Sequence, residues 1–155
     1  MRQQEIDAIA MDAAVAQARK SLAEGGIPIG AALVDRDGRV VGAGHNLRVQ
    51  QGDTTAHGET SAIRNAGRRR DWRTLTLAST LSPCAMCTGT AILHRIPRVV
   101  IAESVNFQGR EDWLKQEGVE VVNLRDAGCI RMMAEWIAAN GDLWNEDIGD
   151  PEVTK

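Results

Sequence analysis

Apolar residues recur first at helical spacing. Between Gln4 and Ala23, Ile6, Ile9, Ala10, Ala13 and Ala16 form one stripe, Arg19 and Lys20 stand near the end, and Gly25-Gly26 follows. That pattern predicts an amphipathic helix with a glycine stop. Ile27 to Val34 reads as a buried strand, Asp35-Arg36-Asp37-Gly38 as a hairpin turn, and Arg39 to Gly44 as a returning strand. These two strands are expected to be antiparallel neighbours.

Beyond Gly44 the pattern turns to alternation. A helix from His57 to Gly67 precedes an apolar strand from Thr74 to Thr80. A helix from Cys84 to His94 precedes a strand from Arg98 to Ala102, and a short helix near Glu111 to Glu117 precedes one from Val119 to Val122. A final amphipathic helix is expected from Arg125 to Ala139. Alternating strands and helices imply parallel crossovers, so the expected fold class is α/β: a three-layer α/β/α sandwich around a mixed five-stranded sheet. The 155 residues contain no repeat, no low-complexity stretch and no linker. They are read as one domain spanning 1–155, with Pro151 to Lys155 frayed.

Charge narrows the range of partners. The net charge is −3 and the sequence pI about 5.6, the opposite of a protein that tracks a phosphate backbone. The basic cluster of Arg64, Arg68, Arg69, Arg70 and Arg73 reads as the solvated end of a helix and the turn after it. The first twenty residues carry charges throughout and lack the apolar stretch of a signal peptide, and no run of eighteen apolar residues occurs. The expected location is the cytoplasm, without membrane contact. Three cysteines, two of them in a C-x-x-C, favour metal or redox chemistry over a disulfide framework.

Two short segments carry the chemistry: His57-Gly58-Glu59 and Pro83-Cys84-Ala85-Met86-Cys87. Each alone is weak. In this order they match the H-x-E…P-C-x-x-C signature of zinc deaminases. Both fall at expected helix N-termini, where two cysteines three apart face one side and the helix dipole favours thiolates. Pro83 suits a first helical turn. His57, Cys84 and Cys87 would be the ligands of one Zn2+ per chain, leaving a tetrahedral ion one open position for water. Glu59 has no ion-pair partner at helical spacing and would act as the proton shuttle; a first-turn carboxylate that merely stabilises the helix dipole is the plainer reading. His94 lies two turns beyond Cys87, too far to share the ion. Cys129 reads as a small buried hydrophobe and His45 as a structural histidine.

With these residues in view, the chain resembles the cytidine deaminase-like superfamily and, within it, the fungal-type cytosine deaminases. The likeness extends over Gly25 to Gly30, Gly44-His45-Asn46, His57-Gly58-Glu59, Leu81 to Gly89, Val105-Asn106-Phe107 and Glu146 to Gly149. Gly58, where base and tRNA deaminases usually carry alanine, and the Trp144…Glu146-Asp147-Ile148-Gly149 ending select this branch. The resemblance implies that Asn46 and the Gly58 backbone N–H bond the ring carbonyl of a pyrimidine. Asp147 and the backbone carbonyl of Ser82 would accept from the exocyclic amine. Phe107 would stack on the ring, while Ile29, Trp144 and Ile148 close over it. It further implies a homodimer whose C-terminal segment is a lid, working in pyrimidine salvage. Asn145 departs from the pattern, standing where a second aromatic would lie beside the tryptophan.

Plainer roles exist for the substrate residues. Asn46 could bond local backbone at a strand end, Phe107 and Trp144 could be core aromatics, and Asp147 a solvated carboxylate. Phe107 stands out as the only Phe in a chain without Tyr. The expected reaction is hydrolytic deamination of a free nucleobase, cytosine to uracil and ammonia. The alternatives are another small amino-heterocycle (isocytosine, a triazine or guanine) and, from another class, a structural zinc module. A tRNA adenosine deaminase fits less well, for want of a basic C-terminal helix. A thiol–disulfide oxidoreductase leaves His57 and Glu59 unexplained.

Overall fold

The computed structural model describes residues 1–149, and the Pro151–Lys155 tail lies outside them. Helix α1 (Gln3–Ala23) is followed by β1 (Gly30–Val34), β2 (Val40–His45), a one-turn α2 (Arg48–Gln51) and α3 (Gly58–Ala66). Then come β3 (Thr76–Ser79), α4 (Ala85–Leu93), β4 (Arg98–Ile101), α5 (Glu111–Gln116), β5 (Glu120–Asn123), α6 (Ala127–Ala139) and α7 (Gly141–Asp147).

The five strands form one sheet in the order β2-β1-β3-β4-β5. β1 is antiparallel to both β2 and β3, whereas β3, β4 and β5 run parallel. The mixed sheet and the antiparallel first hairpin are as the sequence predicts. Period-two alternation divides its residues between two cores. Ala32, Val34, Ala78, Val100 and Ala102 pack with Ile6, Ala10, Met11, Ala14 and Cys129 from α1 and α6. Ala31, Leu33, Leu77, Val99 and Ile101 face the other way, onto Ala62, Ala91 and Leu114 from α3, α4 and α5. That is the α/β/α sandwich, and each Leu or Ile so buried contributes about 1.5–3 kcal/mol.

Several element boundaries differ from expectation, each for a local reason. The buried stripe of α1 runs Ile6, Ala10, Ala14, Ala18, so it is rotated from the expected one and leaves Ala16 exposed. Residues 27–29 lie outside β1, because Pro28 has no N–H for a ladder. Trp72–Thr74 forms a 3-10 turn instead of starting β3. Two helices were not anticipated: α2, too short for any periodicity, and α7, which follows α6 after Asn140 alone.

The arrangement matters because it brings one set of ends together. Gly30 pairs with His45 and Ala31 with Ser79, so the start of β1 and the ends of β2, β3 and β4 share one edge of the sheet. The N-termini of α3 and α4 and the whole of α7 meet there. A third cluster of Ile27, Ile29, Leu81, Met133, Trp136 and Trp144 underlies that edge. No helix among the described residues is long and apolar enough to cross a membrane.

Candidate active site

The sheet edge opens into a cavity of about 450 Å³ lined by Ile29, Asn46, His57, Glu59, Ser82, Cys84, Phe107, Trp144, Asp147 and Ile148 among others. Every side chain expected at the site from sequence except Cys87 lines this one space, and Cys87 is buried directly behind it.

One wall is built from two helix starts. His57 is the N-cap of α3, and its backbone N–H donates to Thr60 Oγ1 at 2.9 Å. Cys84 is the N-cap of α4, so Cys87 falls on the same first turn. Pro83 therefore precedes the helix instead of opening it, and its carbonyl accepts from the Arg110 backbone N–H at 2.9 Å. The ligand atoms of His57, Cys84 and Cys87 lie within 4.8 Å of one another, and Nδ1 of His57 is 3.5 Å from Cys84 Sγ. Two thiols and an imidazole form a borderline-soft donor set, and zinc bonds of ~2.0–2.3 Å put the ligands of one ion about 4 Å apart. The set fits zinc with one coordination position to spare.

Charges at this wall are strongly redistributed. Hydrogen bonding from Cys87, then from His57, holds the Cys84 thiol down at about 4, against burial. The same contact with Cys84, reinforced by burial, pushes Cys87 well above the usual thiol range. Burial opposes a charged His57, but the hydrogen bond with Cys84 and the charge of Asp147 outweigh it and push the imidazole up to about 9.

Glu59 sits two residues into α3, only 4% exposed. Burial, followed by the nearby Cys84 charge, raises its carboxyl above the usual range. Ser79 Oγ lies 3.1 Å from Glu59 Oε1 and 2.8 Å from the Leu81 carbonyl oxygen. A hydroxyl has one proton to give, so both contacts are satisfied together when Glu59 itself is protonated. A solvated dipole-stabilising carboxylate would not be buried in this way. Gly58 packs over Gly30: a Cβ there would sit 3.2 Å from the Gly30 carbonyl carbon, so the close approach favours glycine.

The opposite wall comes from distant segments. Asn46 is fully buried; its Oδ1 accepts from the Arg48 backbone N–H at 2.9 Å, and its Nδ2 lies 3.3 Å from Asp147 Oδ1. It thus makes the local backbone bond of the plainer reading while still facing the cavity. Asp147 is buried, not solvated; its Oδ1 accepts from Arg48 Nε at 2.8 Å and stands 3.6 Å from His57 Nε2. Phe107 and Trp144 meet edge to face with centroids 5.9 Å apart, and Trp144 does the same with Trp136 at 6.4 Å. Trp144 belongs to the third core cluster, Phe107 packs against it, and both line the cavity. Ile148 is 37% exposed at the cavity mouth.

Three supporting residues, Glu103, Gly109 and Arg48, were missed from sequence. Glu103, fully buried, accepts from the backbone N–H groups of Val105 and Asn106 and from Asn106 Nδ2, fixing the loop that presents Phe107. Ser82 Oγ accepts from the Gly109 N–H at 2.9 Å and donates to Glu111. A Cβ on Gly109 would fall 1.8 Å from the Pro83 carbonyl oxygen, so only glycine lets the loop lie against the α4 start. Arg48 is the third. An acidic residue two or three positions before the loop's asparagine was a possible signal for Glu103, but nothing local pointed to Arg48.

The remaining candidates fall away from the wall. His94 ends α4, where Nδ1 contacts the Thr90 carbonyl and the ring packs on Trp72. His45 is buried against the Asn46 carbonyl and Glu24. Cys129 lies in the first core, where burial pushes its thiol up to about 12. Asn145 is half-buried and does not line the cavity.

Comparison with known proteins gives the family. Residues 4–103 match the family described as the cytidine and deoxycytidylate deaminase zinc-binding region. The chain is 49% identical to a cytosine deaminase of Candida albicans over 142 residues, covering 90% of this chain and 95% of that one. It is 40% identical to a tRNA-specific adenosine deaminase of Streptococcus pyogenes over 109 residues, 68% of each chain. Among solved structures, a guanine deaminase from Nitrosomonas europaea superposes with a TM-score of 0.69 at 26% identity, covering 83% of both chains. On the family match and the Candida relative together, this chain belongs to the cytidine and deoxycytidylate deaminase zinc-binding family.

Proposed function

We propose that this chain is a zinc-dependent hydrolytic deaminase of a free nucleobase, converting cytosine and water to uracil and ammonia. The observation that carries the reading is the meeting, in one cavity, of the His57, Cys84 and Cys87 donor set with a buried Glu59. The 49% identity to a cytosine deaminase supports the choice of base. We take residues 1–155 as a single deaminase domain.

His57, Cys84 and Cys87 would hold the zinc. When bound, zinc supplies activation of water, whose pKa it lowers toward ~7. The rest falls to the chain's own groups. Asn46 and the Gly58 N–H bond the ring carbonyl, and Phe107 stacks on the ring face. Asp147 and the Ser82 carbonyl accept from the exocyclic amine. Ile29, Trp144 and Ile148 exclude solvent. Glu59 takes a proton from the attacking water and delivers it to the ring nitrogen beside C4. It then takes the second proton from the hydroxyl added at C4 and delivers it to the amine, which leaves as ammonia when the C4–N bond breaks. A buried carboxyl with a raised pKa suits alternate acceptance and donation near neutral pH.

The net charge of −3 gives no basic face for a phosphate backbone, which favours a small base over an RNA. The likeness to fungal-type enzymes adds a cytoplasmic homodimer serving pyrimidine salvage; light scattering on the 16.8 kDa chain tests the dimer. A cavity of about 450 Å³ also has room for a bicyclic ring, so isocytosine, aminotriazines and guanine stand as second substrates. Ammonia release from a panel of these bases decides. Cytosine should be turned over fastest, and failure to deaminate any of them would overturn the reading.

A further inference from the structure

Arg48 stands outside the cavity lining yet touches both groups expected to read the substrate edge. It opens α2, two residues after Asn46, and its backbone N–H donates to Asn46 Oδ1 at 2.9 Å. That bond leaves the Asn46 Nδ2 facing inward, 3.3 Å from Asp147 Oδ1. The Arg48 side chain then reaches across to α7, where Nε donates to Asp147 Oδ1 at 2.8 Å and Nη1 lies 3.5 Å from Glu146 Oε2. The arginine side chain is 15% exposed and that of Asp147 3% exposed, so this is a largely desolvated contact rather than a surface pair.

The rest of α7 has little else polar to fix it. Seven residues long, it has no side-chain cap, and its buried residues are Trp144 and Asp147 alone. Trp144 packs in an apolar cluster, which resists withdrawal but does not set the rotation of the helix. A guanidinium that bonds one carboxylate while its other arm faces the preceding one does set it, because its fork is planar and pre-organised.

We infer that Arg48 is a positioning residue for the reaction: it latches α7 over the cavity and aims Asp147 at the leaving amine. This rests on the deaminase reading for the amine contact, but not for the latch. A lysine keeps the charge and loses the two-point grip. A glutamine keeps some reach and loses the charge.

The test uses full-length, zinc-loaded protein carrying Arg48→Lys, Arg48→Gln or Arg48→Gly. For Arg48→Gln the KM for cytosine should rise roughly 10- to 100-fold, the loss one charge-assisted hydrogen bond carries. Its kcat should change far less, and zinc content and Tm should stay near wild type. Arg48→Lys should recover part of the loss, and methylguanidinium should restore Arg48→Gly saturably. Hydrogen exchange without substrate should quicken in residues 141–149 of Arg48→Gln and nowhere else. Unchanged exchange in α7 overturns the latch, and an unchanged KM in an active enzyme overturns the aiming of Asp147. A loss that tracks Tm or zinc content and resists methylguanidinium makes Arg48 merely structural and overturns both. A wild type that deaminates nothing strikes the deaminase reading and the aiming with it, while the exchange measurement still decides the latch.

Discussion

The metal wall of the cavity takes four side chains from two helical first turns, His57 with Glu59 and Cys84 with Cys87. The facing wall takes Asn46, Phe107, Trp144 and Asp147 from three separate stretches, and its central contact joins residues 101 positions apart. The first wall rests on α3 and α4, both packed against the sheet through the second core. The second rests on a buried-carboxylate loop and a seven-residue helix anchored by Trp144 and by the contacts of Asp147 with Arg48, Asn46 and His57. On the proposed function, chemistry falls to the wall packed through the second core and substrate contact to the wall with fewer anchors. Substitutions in the two walls should separate accordingly, the first striking kcat and the second KM.

The largest effect belongs to Glu59→Gln. The amide is nearly isosteric but cannot take a proton near neutral pH. A single proton shuttle contributes roughly 10²–10⁴-fold, and on the proposed mechanism this carboxylate serves at more than one transfer. The kcat should fall by about 10⁴-fold or more, with zinc content and Tm unchanged because Glu59 is not among the expected ligands. Retention of most of the activity would return Glu59 to a structural role. Loss of the metal would make it a ligand and close the site.

Protons on the metal wall give the next test. In zinc-free protein at pH 7, His57 at about 9 and the raised Cys87 both hold protons, whereas Cys84 at about 4 does not. Zinc takes the deprotonated forms, so binding expels about two protons and apparent affinity rises with pH. The rise should be about 100-fold per pH unit near neutrality. It should become shallower once the pH passes about 9, where His57 is already neutral. Competition with a chelator of known affinity measures this, and an affinity flat between about pH 6 and 8 would contradict the assigned protonation states.

On the facing wall, Phe107→Ala removes the stacking face while leaving the Glu103 network that carries the loop. Stacking of a base on an aromatic ring is worth ~1–3 kcal/mol, so KM should rise roughly 5- to 150-fold with zinc content intact. A fall in kcat as large as that of Glu59→Gln would dissolve the distinction between the walls.

The same division explains what was legible in the sequence. His57, Glu59, Cys84 and Cys87 could be paired without coordinates because each pair lies within one helical turn, where spacing alone fixes relative direction. The sandwich was legible for a similar reason, since the periodicities of α3, β3, α4, β4 and β5 are local signals. Asn46, Phe107 and Asp147 came only through resemblance; no local pattern says that a strand end, a loop and a late helix will meet. Arg48 stayed invisible because its meaning lies wholly in Asp147 and Glu146, about a hundred positions away. Helix α7 was lost because seven residues carry too little periodicity to separate from the tail. Cys129 was read as a small buried hydrophobe from its place in the last amphipathic helix and His45 as structural from standing alone at a strand end, and both lie away from the metal wall.

The smallest expected effect concerns Asn145, the position where the chain departs from the fungal-type pattern. On α7, Trp144, Asp147 and Ile148 stand at i, i+3 and i+4, so they share one face, and all three line the cavity. Residue 145 is turned about 100° from Trp144 around the helix. Asn145 is half-buried and absent from the cavity lining, and no hydrogen bond within the described residues engages its side chain. An aromatic there would meet the outer flank of α7, not the substrate. Asn145→Phe should therefore leave kcat/KM for cytosine within about twofold of wild type, the scale of a surface substitution away from special features. A change in KM of tenfold or more would mean that α7 turns through a different face when substrate is bound. The face assignment of Asp147, and with it the direction in which Arg48 holds it, would then have to be redrawn.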